Sequence, residues 1–180
     1  HYAMASGTEL GFYYLNAHNK VPSFERQDVA IAGSQLPVSY RIRYFENIST
    51  MGASFTTLVG DMQVNGEISY RENAPMADGG SPRRDELLQA QIGFTQIFRP
   101  TALWDDLTIV GEIVGFEDVG KNNDEMAFDA RAAGYALRAD FAYKNVLQAL
   151  DTNVLLFVQQ GLHGTVREAT LVEDAVVLSV

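Results

Sequence analysis

A regular alternation of apolar and polar residues is the feature of this sequence that most restricts its fold. From Asp61 to Arg71 the sequence reads D-M-Q-V-N-G-E-I-S-Y-R. Because successive side chains of a β-strand point to opposite faces, this segment predicts a strand with one apolar and one polar face. The same two-residue period recurs about six or seven times along the chain, which predicts an antiparallel all-β fold.

Turn-forming residues separate the alternating segments, so strand positions can be predicted. The predicted strands are Glu9–Ala17, Pro37–Phe45, Met51–Val59, Asp61–Arg71, Leu87–Phe98, Leu107–Phe116, Gly134–Lys144, Asn153–Gln160 and Thr170–Val180. Long loops are expected at 18–35, 72–85 and 117–131, and short turns at 46–50, 60–61 and 99–106. Two consecutive short turns fit a regular barrel poorly, which indicates that one strand is misplaced. A short helix over Asp124–Ala133 is the alternative to a loop there.

Composition excludes several classes of function. The chain has 13 Lys and Arg against 23 Asp and Glu, a formal net charge of -10, and no Cys. An acidic surface repels phosphate groups, so we do not expect nucleic acid as a partner. The lack of Cys excludes thiol catalysis, disulfides and Cys-based zinc sites. No apolar run approaches the roughly 20 residues of a transmembrane helix, although barrel strands are too short to give such a run.

No motif in the sequence indicates catalysis, a cofactor or a bound metal. His18 and His163 stand alone, without the spacing of metal ligands. The segments at 78–80 and 122–125 are rich in oxygen-bearing residues but lack the ligand spacing of a calcium loop, so solvated loops are expected. Neither a G-x-S-x-G elbow nor a phosphate-binding glycine loop is present. Glu67 and Glu112 lie on strands that are not adjacent in hairpin order, which argues against a catalytic acid pair.

The pattern alone leaves two architectures open, a soluble β-barrel or sandwich that binds an apolar ligand and a transmembrane-type barrel. The predicted strands have about nine to twelve residues, whereas crossing a bilayer at a tilt needs roughly nine to eleven. Charged residues lie on the polar faces in mid-strand, where a solvated surface or a water-filled lumen could hold them. Aromatic residues near the strand ends suit an interfacial girdle: Phe12, Tyr14, Tyr40, Tyr44, Tyr70, Phe98, Trp104, Tyr135 and Tyr143.

The order of several short motifs resembles a known family. G-T-E-L-G-F-Y-Y-L-N-A-H at 7–18 is followed by Y-F-E-N-I at 44–48, G-A-S-F at 52–55 and G-E-I-S-Y-R-E-N-A-P at 66–75. In this order they are similar to the proteobacterial outer-membrane family catalogued as "domain of unknown function 1302". The resemblance is strongest over residues 7–76 and continues more loosely through Gly111-Glu112 and Leu150-Asp151-Thr152.

The resemblance implies an antiparallel up-and-down transmembrane β-barrel, or a segment of one, with about 8–9 strands in a single domain over 1–180. It also implies location in the bacterial outer membrane and a longer precursor with a cleaved signal peptide, of which this chain would be an interior segment. That expectation agrees with the signal-free start and the apolar end of the chain. The implied partners are membrane lipid and transport components of the periplasm or inner membrane, and the implied function is a channel or a part of transport of hydrophobic or small molecules.

The resemblance to a transmembrane barrel also assigns the two faces of each strand. The residues expected to line the lumen are Arg41, Arg43, Glu67, Arg71, Glu112, Arg138 and Asp140. The residues expected to face lipid are Met62, Val64, Ile68, Tyr70, Tyr135, Leu137, Phe141 and Tyr143. The family offers no catalytic residues to carry over, and we expect a protein that is not an enzyme.

Overall fold

In a computed structural model, the chain forms one large antiparallel sheet and a separate two-stranded hairpin. The structure describes residues 2–3, 7–20, 22–31, 34–76, 83–120, 129–147, 149–165 and 171–180. The large sheet has nine strands in the order β1-β2-β5-β6-β7-β8-β9-β10-β11, and β3-β4 form the second sheet. The predicted all-β class and strand number are therefore confirmed. β1 and β11 are the outer strands of this order, and no pairing between them is found within the described ranges.

The strands of the large sheet are long. Their bounds are β1 Tyr2–Ala3, β2 Glu9–Ala17, β5 Ile48–Val59, β6 Met62–Met76, β7 Arg83–Phe98, β8 Asp106–Asp118, β9 Arg131–Tyr143, β10 Thr152–His163 and β11 Val176–Ser179. The hairpin consists of β3 Ser23–Ile31 and β4 Ser34–Arg43. No helix in the described part of the chain is long and apolar enough to cross a membrane.

Cross-strand register keeps the alternation of each strand in phase with that of its neighbours. Phe55 pairs with Gly66, Gly66 with Ile92, Ile92 with Ile113, and Ile113 with Tyr135. Since side chains alternate between faces, this register gathers the apolar positions of all the long strands on one side of the sheet. We call that side the apolar face and the other the polar face.

The predicted strand Pro37–Phe45 belongs to the hairpin and not to the large sheet, and this corrects the sequence prediction. Its partner is β3, which lies inside the predicted loop 18–35. The segment S-F-E-R-Q-D-V-A-I has no regular apolar–polar period, so the pattern did not reveal a strand. A hairpin outside the main sheet is held by its backbone ladder and does not need one continuous apolar face.

Residues 44–47 are consequently not a short turn between two strands of the sheet. β2 pairs directly with β5, from Glu9 opposite Thr56 to Ala17 opposite Ile48, and the hairpin extends this pair beyond its end. The three connections of 12 or more residues, 18–47, 119–130 and 164–175, then join strands at one end of the sheet, where the six-residue connection 77–82 also joins two strands. The connections at the other end, 60–61, 99–105 and 144–151, have two, seven and eight residues. Half of the predicted helix, 124–128, lies outside the described residues, and Arg131–Ala133 are strand.

The predicted loop 72–85 is also shorter than expected, because β6 continues through Met76 and β7 begins at Arg83. A bulge between Arg71 and Ala74 makes this possible, and Asn73 takes a positive φ of 59° there. Pro75 lies past the last β5 partner of β6, where a missing N–H costs no ladder bond on that side. The N-x-P motif thus marks a bulge within a strand and not its end.

Phe45 anchors the hairpin to the end of the large sheet. Its side chain is 1% exposed, the only large side chain so fully buried among the described residues. The guanidinium groups of Arg43 and Arg84 lie 5.0 and 5.2 Å from its ring centroid. Arg84 also donates a hydrogen bond of 2.6 Å to the carbonyl of Glu46, and Asn19 N–H donates one of 2.7 Å to the carbonyl of Phe45. These contacts fix the two segments that enter and leave the hairpin.

Two phenylalanine–glycine pairs repeat on the apolar face. Phe55 lies over its cross-strand partner Gly66, and Phe94 lies over its partner Gly111. A methyl group on either glycine would overlap the phenyl ring that covers it. The glycines therefore let aromatic rings lie flat against the sheet and cover the backbone.

We expect Gly111→Ala to destabilise the protein by about 1–3 kcal/mol, because the new methyl group must displace the ring of Phe94. The measurement is the midpoint of urea unfolding of the full chain. Gly115→Ala is the matched control on the same strand and face, since its nearest neighbour would be 4.0 Å away. Equal midpoints for the two variants would contradict the proposed packing.

Candidate functional site: the polar face of the sheet

Five of the seven residues predicted to line a lumen share the polar face. They are Glu67, Arg71, Glu112, Arg138 and Asp140, placed together by the register of β6 to β10. Arg41 and Arg43 are separated from them, because β4 lies in the two-stranded sheet. The structure thus brings together the charges of three long strands, β6, β8 and β9, but not those of the hairpin.

Hydrogen bonds and ion pairs engage most of these charged groups. The hydroxyl of Tyr13 donates a hydrogen bond of 2.6 Å to Glu67 Oε1. Arg138 Nη2 lies 2.9 Å from Asp140 Oδ2, two residues along the same strand. Glu112 is exposed and has no ion-pair partner within the described part of the chain. Strand β7 separates β6 from β8, so Glu67 and Glu112 do not meet across one ladder, as expected.

The opposite face carries all eight residues predicted to contact lipid, on β6 and β9. Large apolar side chains near its centre are exposed, with 50% for Ile68, 50% for Ile92 and 57% for Ile113. Within the described residues no second layer of strands or helices covers them. The buried hydrophobic side chains lie elsewhere, in small clusters such as Ala74 with Leu87 and Ala132 with Leu171.

Aromatic residues mark both ends of the apolar face. Tyr14 and Tyr70 flank Met51 near the end with the longer connections. At the other end the ring of Trp104 meets that of Phe141 edge to face, with 6.0 Å between centroids. Trp104 also donates a hydrogen bond of 3.2 Å to the carbonyl of Arg99. Tyr40 and Tyr44, predicted to join this set, lie instead on β4 and in the segment that follows it.

An ion pair lies near the aromatic residues at each end of the apolar face. Arg131 Nε donates a hydrogen bond of 2.8 Å to Glu117 across β8 and β9. At the opposite end Lys144 Nζ lies 2.6 Å from Asp106 Oδ2, and this hydrogen bond raises the pKa of Lys144 above its usual value. The charged form of Lys144 is thereby favoured where the shorter connections meet.

Beside Glu112 the polar face forms a concavity of about 230 Å³. Three glutamine side chains, Gln89, Gln91 and Gln159, line it together with Phe116. Leu171 closes one side, where it packs on Ala132 with Val114 and Phe116. Sequence reasoning did not single out these amides because it followed charge. It missed Leu171 because this residue reaches the concavity only through the fold-back of segment 171–175, which the sequence pattern does not show.

That segment is held on the sheet by main-chain contacts. Asp174 N–H donates to the carbonyl of Gly161 at 3.1 Å, and Gly161 N–H donates to the carbonyl of Ala175 at 3.2 Å. A methyl group on Gly134 would lie 2.7 Å from Leu171 Cδ2, so this glycine makes room for the leucine. The segment 171–175 thus packs against small residues of β9 and β10.

The described residues contain no group of three or more His, Asp or Glu side chains able to hold a metal ion. His163 lies 3.7 Å from Glu173, and both side chains are exposed. The acidic segments at 78–80 and 122–125 lie outside the described residues.

Comparison with known proteins identifies a family for the whole chain. The sequence model described as "Protein of unknown function (DUF1302)" matches residues 1–180. No curated protein and no solved structure matches the chain significantly. The chain therefore belongs to the DUF1302 family.

Proposed function

We propose that this chain forms part of the wall of an outer-membrane β-barrel, which acts as a channel or as the outer-membrane component of transport of hydrophobic or small molecules. The observation that carries the proposal is the apolar face, which is continuous across the long strands and uncovered in the described residues. Exposing such a face to water is unfavourable, whereas lipid tails would cover it without a second protein layer.

The dimensions of the apolar face support the proposal. On β8 the apolar positions run from Leu107 to Gly115, which spans about 27 Å along the strand and about 21 Å at a tilt of about 40°. Outer-membrane barrels have apolar bands about 25 Å tall between two aromatic girdles. Trp104 with Phe141 would belong to one girdle, and Tyr14 with Tyr70 to the other.

The lengths of most connections support one orientation of the proposed barrel in the membrane. Bacterial barrels have short turns on the periplasmic side and long loops outside. The connections at 60–61, 99–105 and 144–151 would then face the periplasm, and the hairpin β3–β4 would extend outward.

The polar face would line the interior. Two adjacent residues of β6 differ in solvent exposure: Ser69 on the polar face is 8% exposed, and Ile68 on the apolar face is 50% exposed. A barrel that closes around its polar side would give a difference of this kind. The segment 171–175 also lies on that side, where it would narrow a lumen near the outer end.

The test uses the full-length natural chain, refolded in detergent and in lipid vesicles. We expect it to need detergent for solubility and to migrate differently in electrophoresis before and after boiling, as folded barrels do. Planar bilayers containing it should show stepwise conductance. A chain that stays soluble and monomeric without detergent would instead support a soluble barrel or sandwich with its apolar face inward. Insertion without conductance would support a transport component and not an open channel.

A further inference from the structure

The concavity beside Glu112 has the features of a small-ligand site, and we call it the Glu112 pocket. It is lined by Gln89, Gln91, Glu112, Phe116, Gln159 and Leu171. We propose that the Glu112 pocket binds a small organic cation of the amidinium, guanidinium or ammonium class that carries a short apolar body. Equilibrium binding at this site does not depend on whether the sheet forms a channel, so the proposal goes beyond the function proposed above.

The register of the sheet builds the pocket floor. Glu112 pairs with Ala136, and Ala136 pairs with Gln159, so the three residues form one row across β8, β9 and β10. In the next row Val114 pairs with Gly134, and Gly134 pairs with Gly161. The small side chains between Glu112 and Gln159 leave this space of about 230 Å³.

The charge of Glu112 is available to a ligand. Arg138, on the neighbouring strand, is occupied by Asp140 at 2.9 Å. No hydrogen bond or ion pair engages the Glu112 side chain within the described residues. A carboxylate in this position prefers a cationic donor, and a planar amidinium can donate two parallel hydrogen bonds to it. The net charge of -10 adds a favourable field for any cation that approaches.

The other pocket residues define the rest of the ligand. Gln89 donates to Gln91 Oε1 over a long distance of 3.4 Å, so both amides can exchange this bond for one to a ligand. The Gln159 side chain makes no hydrogen bond with the described residues. Phe116 and Leu171 supply an apolar wall on the side of the folded-back segment. Polar groups in a small-molecule site fix the orientation of the ligand, and here one carboxylate and three amides face one apolar wall.

The experiment compares benzamidine, a cation, with benzamide, its neutral counterpart of nearly the same shape. Both are titrated by ligand-observed NMR against the full chain in detergent micelles at low ionic strength. We expect benzamidine to bind about tenfold more tightly than benzamide, as a charge-assisted hydrogen bond would give. The preference should decrease as salt is added, because the carboxylate is exposed.

Glu112→Gln should abolish the preference for benzamidine while the chain remains folded, since the side chain keeps its size. Asp140→Asn is the matched control, because it removes a carboxylate of the same face that lies outside the pocket. Ala136→Leu should fill the floor and weaken both compounds. Equal affinity for the two compounds would overturn the proposal, as would a preference that survives Glu112→Gln or disappears equally in Asp140→Asn.

Discussion

In the proposed membrane barrel, replacing Ile92 with lysine is expected to destabilise the inserted protein by about 2–4 kcal/mol. Ile92 lies on β7 at the middle of the sheet, with Gly66 on one side and Ile113 on the other. It is 50% exposed on the apolar face, so a lysine there would put an ammonium group near the midplane of the bilayer. The measurement is the free energy of unfolding in lipid vesicles, from urea titration.

Gln91→Lys is the control for Ile92→Lys, because the neighbouring residue lies at the same depth on the polar face. We expect that variant to change the free energy of unfolding by less than about 1 kcal/mol, since water would reach its ammonium group. Equal costs for the two variants would contradict the assignment of faces. A larger cost for Gln91→Lys would support the soluble alternative, in which the polar face is outside and the apolar face is packed.

Replacing Phe45 with alanine is expected to cost about 3–5 kcal/mol in the attachment of the hairpin β3–β4. The ring is buried between Arg43 and Arg84, and its removal leaves a cavity together with two guanidinium groups that lose their aromatic partner. Hydrogen exchange of the amides at 39–47 measures this local opening, and limited proteolysis provides a second readout.

Tyr44→Ala is the matched control for Phe45→Ala, since Tyr44 is an exposed aromatic residue one position earlier. It should leave exchange at 39–47 nearly unchanged. Phe45→Leu should fall between the two, because it fills much of the space but offers no π-face to the arginines. Fast exchange in both alanine variants would mean that Phe45 is not the anchor.

The sequence was most informative where one rule covers a whole strand. The alternation from Asp61 to Arg71 predicted a strand and its two faces, and the register of β5 to β10 confirms that these faces continue from strand to strand. The rule became uninformative at the end with the longer connections. There β6 and β7 extend past the apolar positions, and bulged or polar residues such as Asn73 continue the ladder without alternation.

Long-range contacts account for what the sequence could not predict. The base of the hairpin depends on Phe45 meeting Arg84, residues that are far apart in the chain. The Glu112 pocket depends on Leu171 folding back over Gly134. Uncharged amides such as Gln89 and Gln159 carry no local signal for a site, because glutamine is ordinary on any polar strand face. Only the cross-strand register shows that they line one concavity.

The order of the strands has a mechanical consequence. Apart from the hairpin β3–β4, each strand of the large sheet pairs with its neighbours in the chain. A force applied along one chain end would therefore peel strands away one at a time, because each ladder can open without breaking the next. The peak force needed for extraction would be set by the strongest single ladder and would not grow with the number of strands. Since β2 pairs directly with β5, tension carried through the sheet would also bypass the hairpin, which could change in length or sequence without bearing load.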